Sequence, residues 1–457
     1  MATVLQSILK TLRPPVRPID RMLSPVRLFL KHRLAGAALL MLATGIAVAL
    51  ANSPWKHAYH EILETHVTLN AFLFNLDYTL HHWINDGLMS IFFFVVGLEI
   101  KRELLVGELS TLRKATLPAI AALGGMIVPA LLFYALNYNE ATSHGWGIPM
   151  ATDIAFALGV LAALGKKVPL GAKVFLTALA IVDDIGAVLV IAIFYTAHIE
   201  VNALLVGFSL LGIALLMNFM QVRHTIAYLV VGILVWLAFL HSGVHATIAA
   251  ILMALVIPAT TRINGRDLVD RIGLITAKLE RIGLPEDTTM NSEEQQQAIY
   301  AMSDTLEHAQ APLQRLEHDL HGFVTFLVLP LFALANAGVT LHGGLITELS
   351  QPLALGVVFG LFIGKQLGIT LSTWLAVKLK VADLPANVSW YQIHGTSILG
   401  GIGFTMSLFI SGLAFVEPAF IEEAKVGILA GSLVSGIVGY LFLAKKSSPA
   451  PAIKASS

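Results

Sequence analysis

Apolar runs of about 20 residues recur along this 457-residue sequence, and each is long enough to cross a hydrocarbon core of about 30 Å as a helix. Backbone polar groups in lipid must be paired within the protein, so such runs fold as helices. The sequence therefore predicts an all-α integral membrane protein. Twelve spans are predicted, at 34–52, 84–99, 116–136, 149–165, 174–195, 203–220, 225–240, 245–258, 323–340, 352–376, 392–415 and 426–444.

The composition agrees with a membrane protein and excludes several other classes. Hydrophobic residues make up 56% of the chain and charged residues 13%, against about 45–50% and about 25% in soluble domains. A formal net charge of zero argues against a nucleic-acid partner. Because the chain has no cysteine, disulfides, thiolate metal sites and cysteine nucleophiles are excluded.

The basic residues orient the predicted spans. A cluster of Lys and Arg fills the N-terminal extension, 1–33, and such a cluster keeps a terminus in the cytoplasm. Alternation from that start puts all but three of the 29 Lys and Arg on the cytoplasmic side. The exceptions are Lys56 and Lys425, which fall outside, and Lys365, which lies within a span. Both termini are therefore predicted to be cytoplasmic.

The spans divide the chain into five predicted regions. The insertion between spans 8 and 9 contains "RDLVDRIGLITAKLERIGL", which spaces apolar residues three or four apart among charges and so indicates an amphipathic helix. This insertion is either a cytoplasmic surface hairpin or a regulatory or partner-binding element. The regions are the basic extension 1–33, spans 1 to 8 in 34–258, the charged insertion 259–322, spans 9 to 12 in 323–444, and a cytoplasmic tail 445–457.

Ionisable residues inside the spans indicate where function resides, since each charge at the bilayer centre costs about 2.5–3.5 kcal/mol. Asp183 and Asp184 lie near the middle of one span, Lys365 lies near the middle of another, and Asp153 follows Pro149 in a short span. Three carboxylates against one ammonium leave an excess of negative charge, which predicts a bound cation or protons. A buried ion pair that only holds helices together is the structural alternative.

The adjacency of the two aspartates weakens that structural alternative. Neighbours on a helix point about 100° apart, so Asp183 and Asp184 cannot both face one partner. One can meet Lys365 while the other faces a cavity. Two carboxylates in one site also lose their protons in coupled steps, which allows protons and Na⁺ to compete there.

Two spans are interrupted by glycine or proline. "GIPMATDIAFALGVLAALG" contains Gly147 and Pro149, and "HGTSILGGIGFTMSLFISGLAF" contains glycines at 395, 400, 401 and 403. Such breaks free backbone groups that can form an ion site at the membrane midplane. The interrupted helix is the middle one of spans 3–5 and of spans 10–12, which run in opposite directions. An inverted repeat is therefore expected, and two unrelated glycine-rich packing faces are the alternative.

The sequence resembles the NhaA-type sodium/proton antiporters over nearly all of 34–444. The motifs that carry the resemblance are "WINDGLMSIFFFVVGLEIKREL", "LGGMIVPALL", "ATDIAFALGVLAALG", "ALAIVDDIGA", "SGVHAT", "LPLFALANAGV", "IGKQLGI" and "GGIGFTMSLFI". The inverted repeat is a known property of that family, so it is not an independent inference. The resemblance implies a pH-regulated, electrogenic exporter of Na⁺ or Li⁺ in exchange for protons. It implies a bacterial inner-membrane location, roles in pH homeostasis and salt tolerance, and no cofactor.

The resemblance also assigns roles to individual residues. Asp184 is similar to the principal cation ligand, and Asp183 to its proton-carrying neighbour and the partner of Lys365. Asp153 and Thr152 match the helix break. Further residues match the family's funnel and pH-response regions, with membrane-edge charges and packing histidines as the alternatives. They are Asp86, Glu99, Glu103, His245, Glu317, His318 and His321.

Several positions depart from the family pattern without removing a charge. Gln366, Met150, Gly322 and His394 stand where proline, alanine, proline and an apolar residue are expected. The loop "KHAYHEILETHVTLNAFLFNLDYTLHHW" favours an outer hairpin and a homodimer. A symporter of a small organic anion on the same fold is the alternative function, but it would favour a roomier and less acidic centre. A cation channel or scaffold would not need titrating aspartates beside a lysine.

Overall fold

The computed structural model describes residues 34–71, 74–196, 199–282, 292–340 and 344–445. The predicted extension 1–33, and the predicted tail except Lys445, lie outside the described residues. Helices dominate the described part, which also contains one antiparallel β-hairpin in the loop predicted to form one. Its strands are β1 (His66–Ala71) and β2 (Phe74–Thr79), paired in the register His66 with Thr79.

Seventeen α-helices follow one another in the described part, with a 3₁₀ helix at Ala141–Met150 between the fourth and the fifth. Three of them contain a π-helical turn, at 83–88, 324–328 and 360–364. In chain order they are α1 (Ala35–Ala51), α2 (Lys56–Glu64), α3 (Leu80–Val106), α4 (Leu112–Leu136), α5 (Ile154–Ala163), α6 (Leu170–Phe194), α7 (Val201–Phe219), α8 (Thr225–Ser242), α9 (Ala246–Val256), α10 (Gly265–Ile282), α11 (Glu293–Ala309), α12 (Pro312–Asn336), α13 (Leu345–Leu349), α14 (Pro352–Lys378), α15 (Trp390–Leu399), α16 (Phe404–Ala414) and α17 (Pro418–Lys445).

Eight helices of the described part are long and apolar enough to cross a membrane: α3, α4, α6, α7, α8, α12, α14 and α17. Three bent pairs raise the number to eleven if each pair is one span. They are α1 with α2 (113°), the 3₁₀ helix with α5 (43°), and α15 with α16 (46°). Helix α9 occupies the predicted span 245–258 but has only 11 residues, fewer than a full crossing needs. The protein is a multi-pass helical membrane protein, and the total of twelve spans stays a prediction.

Helices α4 and α14 cross with their backbones in close contact at two glycines. A Cβ atom added to Gly124 would lie 2.4 Å from the carbonyl oxygen of Gly368, and one added to Gly368 would lie 2.1 Å from that of Gly124. Small residues at such a crossing let membrane helices pack by van der Waals contact where no hydrophobic effect drives them together. The crossing fixes α14, which carries Lys365, against α4.

The predicted insertion contains two helices in its described part, α10 and α11. Ser292 begins α11 with a capping box: its hydroxyl accepts from the N–H of Gln295 at 3.3 Å, and the Gln295 side chain accepts from the N–H of Ser292 at 2.9 Å. No residue of α10 is buried, and its half-buried face is the row Leu268, Ile272, Ile275, Leu279 and Ile282. That spacing of three or four matches one face of a helix that packs against α11.

Candidate cation and proton site

The two interrupted helices cross each other at their breaks. The first break, 151–153, separates the 3₁₀ helix from α5, and the second, 400–403, separates α15 from α16. The N–H of Asp153 donates to the carbonyl of Ile402 at 2.6 Å, and the Thr152 hydroxyl donates to the carbonyl of Gly400 at 2.8 Å. The freed backbone groups are therefore paired across the crossing, as lipid requires.

The carboxylate of Asp153 caps two helices at once. Its Oδ1 accepts from the N–H of Phe156 at 3.0 Å, in the first turn of α5. Its Oδ2 accepts from the N–H of Thr405 at 3.0 Å, in the first turn of α16, and from the Thr405 hydroxyl. Helix N-termini carry partial positive charge, so one buried carboxylate balances two of them. The sequence indicated Asp153 as a site residue but gave no signal that Thr405 would bind it.

Asp183, Asp184 and Lys365 lie together in the protein interior. Asp183 and Asp184 are in the middle of α6, and Lys365 follows directly after the π-helical turn of α14. The ammonium of Lys365, 0% exposed, donates to Oδ2 of Asp183. Asp184 is 2% exposed and interacts electrostatically with Asp183, Asp153 and Lys365. The three acids and the lysine of the sequence analysis thus form one electrostatic cluster.

Two carboxylate oxygens of this cluster lack partners. Among the described residues, Oδ1 of Asp183 and Oδ1 of Asp184 are buried without a hydrogen-bond donor within 3.5 Å, although the N–H and hydroxyl of Thr152 interact with the Asp183 carboxylate. A buried carboxylate without a partner raises the free energy of the folded protein, and binding of a proton or a cation removes this cost. No three acidic or imidazole groups of the described residues converge closely enough for a fixed metal site. A cation at these oxygens would therefore need further ligands from backbone, hydroxyl or water oxygens.

A cavity of about 700 Å³ approaches the cluster from one end of the helices. Glu103 and His321 line it, together with Thr177 and Ala178 of α6, which lie about two turns before Asp184. A band of charge lies beside this cavity, where Arg102 donates to both Glu103 and Glu317. Glu99 interacts electrostatically with Glu317 and also with Asp184. His318 is exposed on α12 and does not line the cavity.

A second cavity of about 400 Å³ opens near the other end of α3. Asp86 and His245 line it, and Asp86 lies about 25 Å along the helix from Glu103. Within the described part of the chain, His245 forms no hydrogen bond with a carboxylate, and its Nε2 is 3.1 Å from the carbonyl of Tyr195. His81 and His82 also line this cavity, and Nε2 of His82 is 3.2 Å from Oδ2 of Asp86. The sequence did not identify His81 and His82 as site residues, although they directly precede the motif "WINDG".

A family model for Na⁺/H⁺ antiporter 1 matches residues 27–443. The chain belongs to this family. A curated Na⁺/H⁺ antiporter NhaA of Acidithiobacillus ferrooxidans is 49% identical over 94% of this chain and 100% of its own length. One of Oleidesulfovibrio alaskensis is 48% identical over 93% and 95% of the two chains, and NhaA 1 of Saccharophagus degradans is 46% identical over 94% and 93%. The family members are transporters rather than enzymes, which agrees with the multi-pass helical fold.

The solved structure of a sodium proton antiporter from Methanocaldococcus jannaschii is more distant, with a TM-score of 0.48 and 12% identity over 90% of this chain and 92% of that one. The likeness is too remote to add to the family assignment.

Proposed function

We propose that this chain is an electrogenic Na⁺/H⁺ antiporter that exports Na⁺ or Li⁺ in exchange for external protons. The observation that carries the proposal is the pair of unpartnered, buried oxygens on Asp183 and Asp184 beside the ammonium of Lys365. Two carboxylates with free lone pairs in a dry site bind either protons or a small cation, because the charged, empty state is costly. Competition between the two ligands is the coupling that exchange requires.

The transport cycle follows from this competition and from alternating access. With the site open to the cytoplasm, the aspartates lose their protons and Na⁺ binds Asp184, with Asp183, Asp153 and Thr152 close by. The loaded site then opens outward, where protons displace Na⁺, and the protonated protein returns. Asp153 serves mainly to balance the two helix N-termini of the crossing, since its oxygens are already engaged there.

Electrogenic exchange requires that two protons return for each Na⁺. The proton carriers are either both aspartates or Asp184 together with Lys365, whose ammonium must leave Asp183 if Na⁺ is to use that carboxylate. In either case one net positive charge moves inward per cycle. The membrane potential then favours export by about 2.3 kcal/mol per 100 mV.

The two cavities are the access routes in this proposal. The cavity with Glu103 and His321 serves the cytoplasmic side, and the cavity with Asp86 and His245 serves the outside. The pH response is carried by Glu99, Glu103, Glu317 and His321 near the inner cavity. The histidines of the outer cavity contribute from the other side. Glu317 contributes through Arg102, whereas the exposed His318 would act at the surface.

The proposed topology has twelve crossings, with α9 and its flanking loops as the eighth and with both termini in the cytoplasm of a bacterial inner membrane. Spans 3–5 and 10–12 form the inverted repeat. This repeat is supported by the mutual crossing of the two broken helices and by the glycine contact of α4 with α14. The β1–β2 hairpin leaves strand edges unpaired and supports a homodimer in which two copies meet outside.

Everted membrane vesicles test the proposal. After respiration has acidified their interior, addition of NaCl or LiCl should collapse the pH gradient, and KCl should not. The Asp184→Asn variant should lower this exchange about tenfold or more, since a charged ligand is lost. Asp267→Asn, in the exposed helix α10, is the matched control and should exchange like the unmodified protein. Full Na⁺-dependent exchange by Asp184→Asn would show that the site is assigned wrongly.

A further inference from the structure

A polar cavity of about 310 Å³ lies where the insertion meets the transmembrane helices. Its charged walls come from four parts of the chain: the loop between α7 and α8, the segment before α10, the end of α11, and the first turn of α12. Three arginines and two carboxylates line the cavity and give it a net positive charge. Protonation of either of its two histidines would increase that charge. These residues are Arg223, His224, Arg262, Asp304, Glu307, His308 and Arg315.

One contact in this cavity requires a neutral histidine. Nη1 of Arg262 is 2.8 Å from Nε2 of His308, and the backbone N–H of Arg262 donates to the His308 carbonyl at 3.0 Å. A guanidinium has only donors, so Nε2 must accept and cannot carry a proton. Nδ1 of His308 is 3.2 Å from Oδ2 of Asp304, which as a carboxylate only accepts. Both partners together select the neutral ring with its proton on Nδ1.

Protonation of His308 would break this arrangement. A second ring N–H would face the guanidinium of Arg262, so a hydrogen bond would become a repulsion between like charges. Glu307, the other carboxylate of the cavity, accepts from Arg315 through Oε1 and not from His308. Among the described residues, Nε and Nη1 of Arg223 are buried without partners, which shows that donors already exceed acceptors here.

The remaining carboxylate does not offset this loss. Asp304 is 67% exposed and lies one turn before His308 on the same helix. An exposed ion pair of this kind is weak, because solvent screens the two charges. Protonation therefore gains little at Asp304, while it turns the Arg262 contact into a repulsion between like charges. His224 also lines the cavity, and a protonated imidazole there would add further positive charge.

The contact is linked to the inner cavity through the start of α12. Arg315 joins Glu307 of α11 to Thr225 of α8, with 2.6 Å to the Thr225 hydroxyl. Two residues along α12, Glu317 accepts from Arg102, and one turn further His321 lines the cavity of about 700 Å³. A change in the contact between α11 and Arg262 therefore shifts α12, the helix that borders the inner cavity.

We propose that His308 and Arg262 form a pH-sensitive latch that holds the insertion against the transmembrane helices while His308 is neutral. Acidification of the cytoplasm charges His308, loosens the end of α11 and alters the first turns of α12. Histidine is the side chain that gains its charge between about pH 5 and 8, so the latch closes at alkaline pH and opens at acidic pH. The effect on transport rests on the function proposed above, whereas the opening itself does not.

Spin labels can measure the latch without transport. Because the chain has no cysteine, Tyr300→Cys on α11 and Met220→Cys after α7, both strongly exposed, introduce the only two labelling sites. Pulsed dipolar spectroscopy should show one distance population at pH 8.5 and a second population at pH 6. His308→Gln keeps an acceptor but cannot gain charge, so its distances should stay the same at both pH values. His308→Lys should give the second population at both.

The control is His224→Gln, which removes the other histidine of the cavity and should leave the pH-dependent change in place. A distance distribution that does not change with pH in the unmodified chain would overturn the latch. In everted vesicles His308→Gln should raise Na⁺-dependent exchange at pH 6.5 about fivefold, the effect of a hydrogen bond of about 1 kcal/mol. Unchanged exchange together with a working latch would overturn its regulatory role. Absence of exchange in every variant would count against the proposed function alone.

Discussion

Lys365 donates a hydrogen bond to Oδ2 of Asp183, and among the described residues no donor lies within 3.5 Å of Oδ1 of the same carboxylate. The ion pair is completely buried, with both side chains 0% exposed. It therefore links α6 to α14, which both pack against α4, and still leaves lone pairs free for a proton or cation. In this pair a structural and a transport role are compatible, which the sequence alone presented as alternatives.

The Lys365→Ala variant should lower stability, because it leaves the carboxylate of Asp183 buried without a partner. Removal of one member of a buried pair costs about 3–5 kcal/mol. Thermal unfolding in detergent should show this as a lower melting temperature. The double variant with Asp183→Ala should recover part of the loss. Lys378→Ala, at the end of the same helix, removes a cation–π contact with Trp374 and is the control with a small effect. An equal melting temperature for Lys365→Ala would contradict the structural role of the pair.

The Asp153→Ala variant should affect both folding and exchange. Two helix N-termini lose their shared cap, and each lost cap costs about 1 kcal/mol. Exchange in everted vesicles should fall as well, because the crossing borders Asp184. Ser389→Ala is the matched control, since Ser389 caps α15 at its far end, away from the break. It should lower the melting temperature with little change in exchange. Equal loss of exchange in both variants would show that Asp153 has no role specific to the crossing.

The Gly124→Ala variant should disrupt the packing of α4 against α14. The added Cβ would lie 2.4 Å from the carbonyl oxygen of Gly368, a backbone atom that cannot rotate away as a side chain could. We expect a loss of about 1–3 kcal/mol, as for other overpacked contacts. Gly212→Ala on α7 is the control, since no atom lies within 4 Å of its added Cβ, and it should be neutral or stabilising. Similar melting temperatures for the two variants would argue against a close α4–α14 contact.

The sequence predicted which charged residues meet at the centre better than it predicted how they are arranged. Burial cost alone indicated Asp183, Asp184 and Lys365, because a charge in an apolar run stands out whatever the fold. The break at Asp153 was also visible, since glycine and proline interrupt helices locally. The first half of that broken helix was placed wrongly: the 3₁₀ helix begins at Ala141, whereas the predicted span begins at 149. The stretch "ATSHGWG" has no apolar period, so its burial depends on neighbouring helices that the sequence does not show.

Long-range partners were not predictable either. The bond between Asp153 and Thr405 joins residues 252 positions apart, and no local pattern encodes it. His81 and His82 were missed because two histidines at the edge of a span are unremarkable until Asp86 and His245 are seen beside them. The contact of His308 with Arg262 likewise depends on how the insertion folds back. Tertiary packing decides each of these contacts, and intrinsic propensity does not.

The attachment of α11 should also weaken in acid through a second group. The guanidinium of Arg315 holds the pKa of Glu307 below its ordinary value of 4.5. A carboxyl with a depressed pKa in the folded state contributes stability that is present above its unfolded pKa and lost as pH falls through the folded value. Protection of the amides of α11 from hydrogen exchange should therefore decrease below about pH 4.5. Glu307→Gln should already show the lower protection at pH 7, and Glu294→Gln, exposed at the start of the same helix, should not. Equal protection in the two variants would exclude a contribution of the Arg315–Glu307 pair.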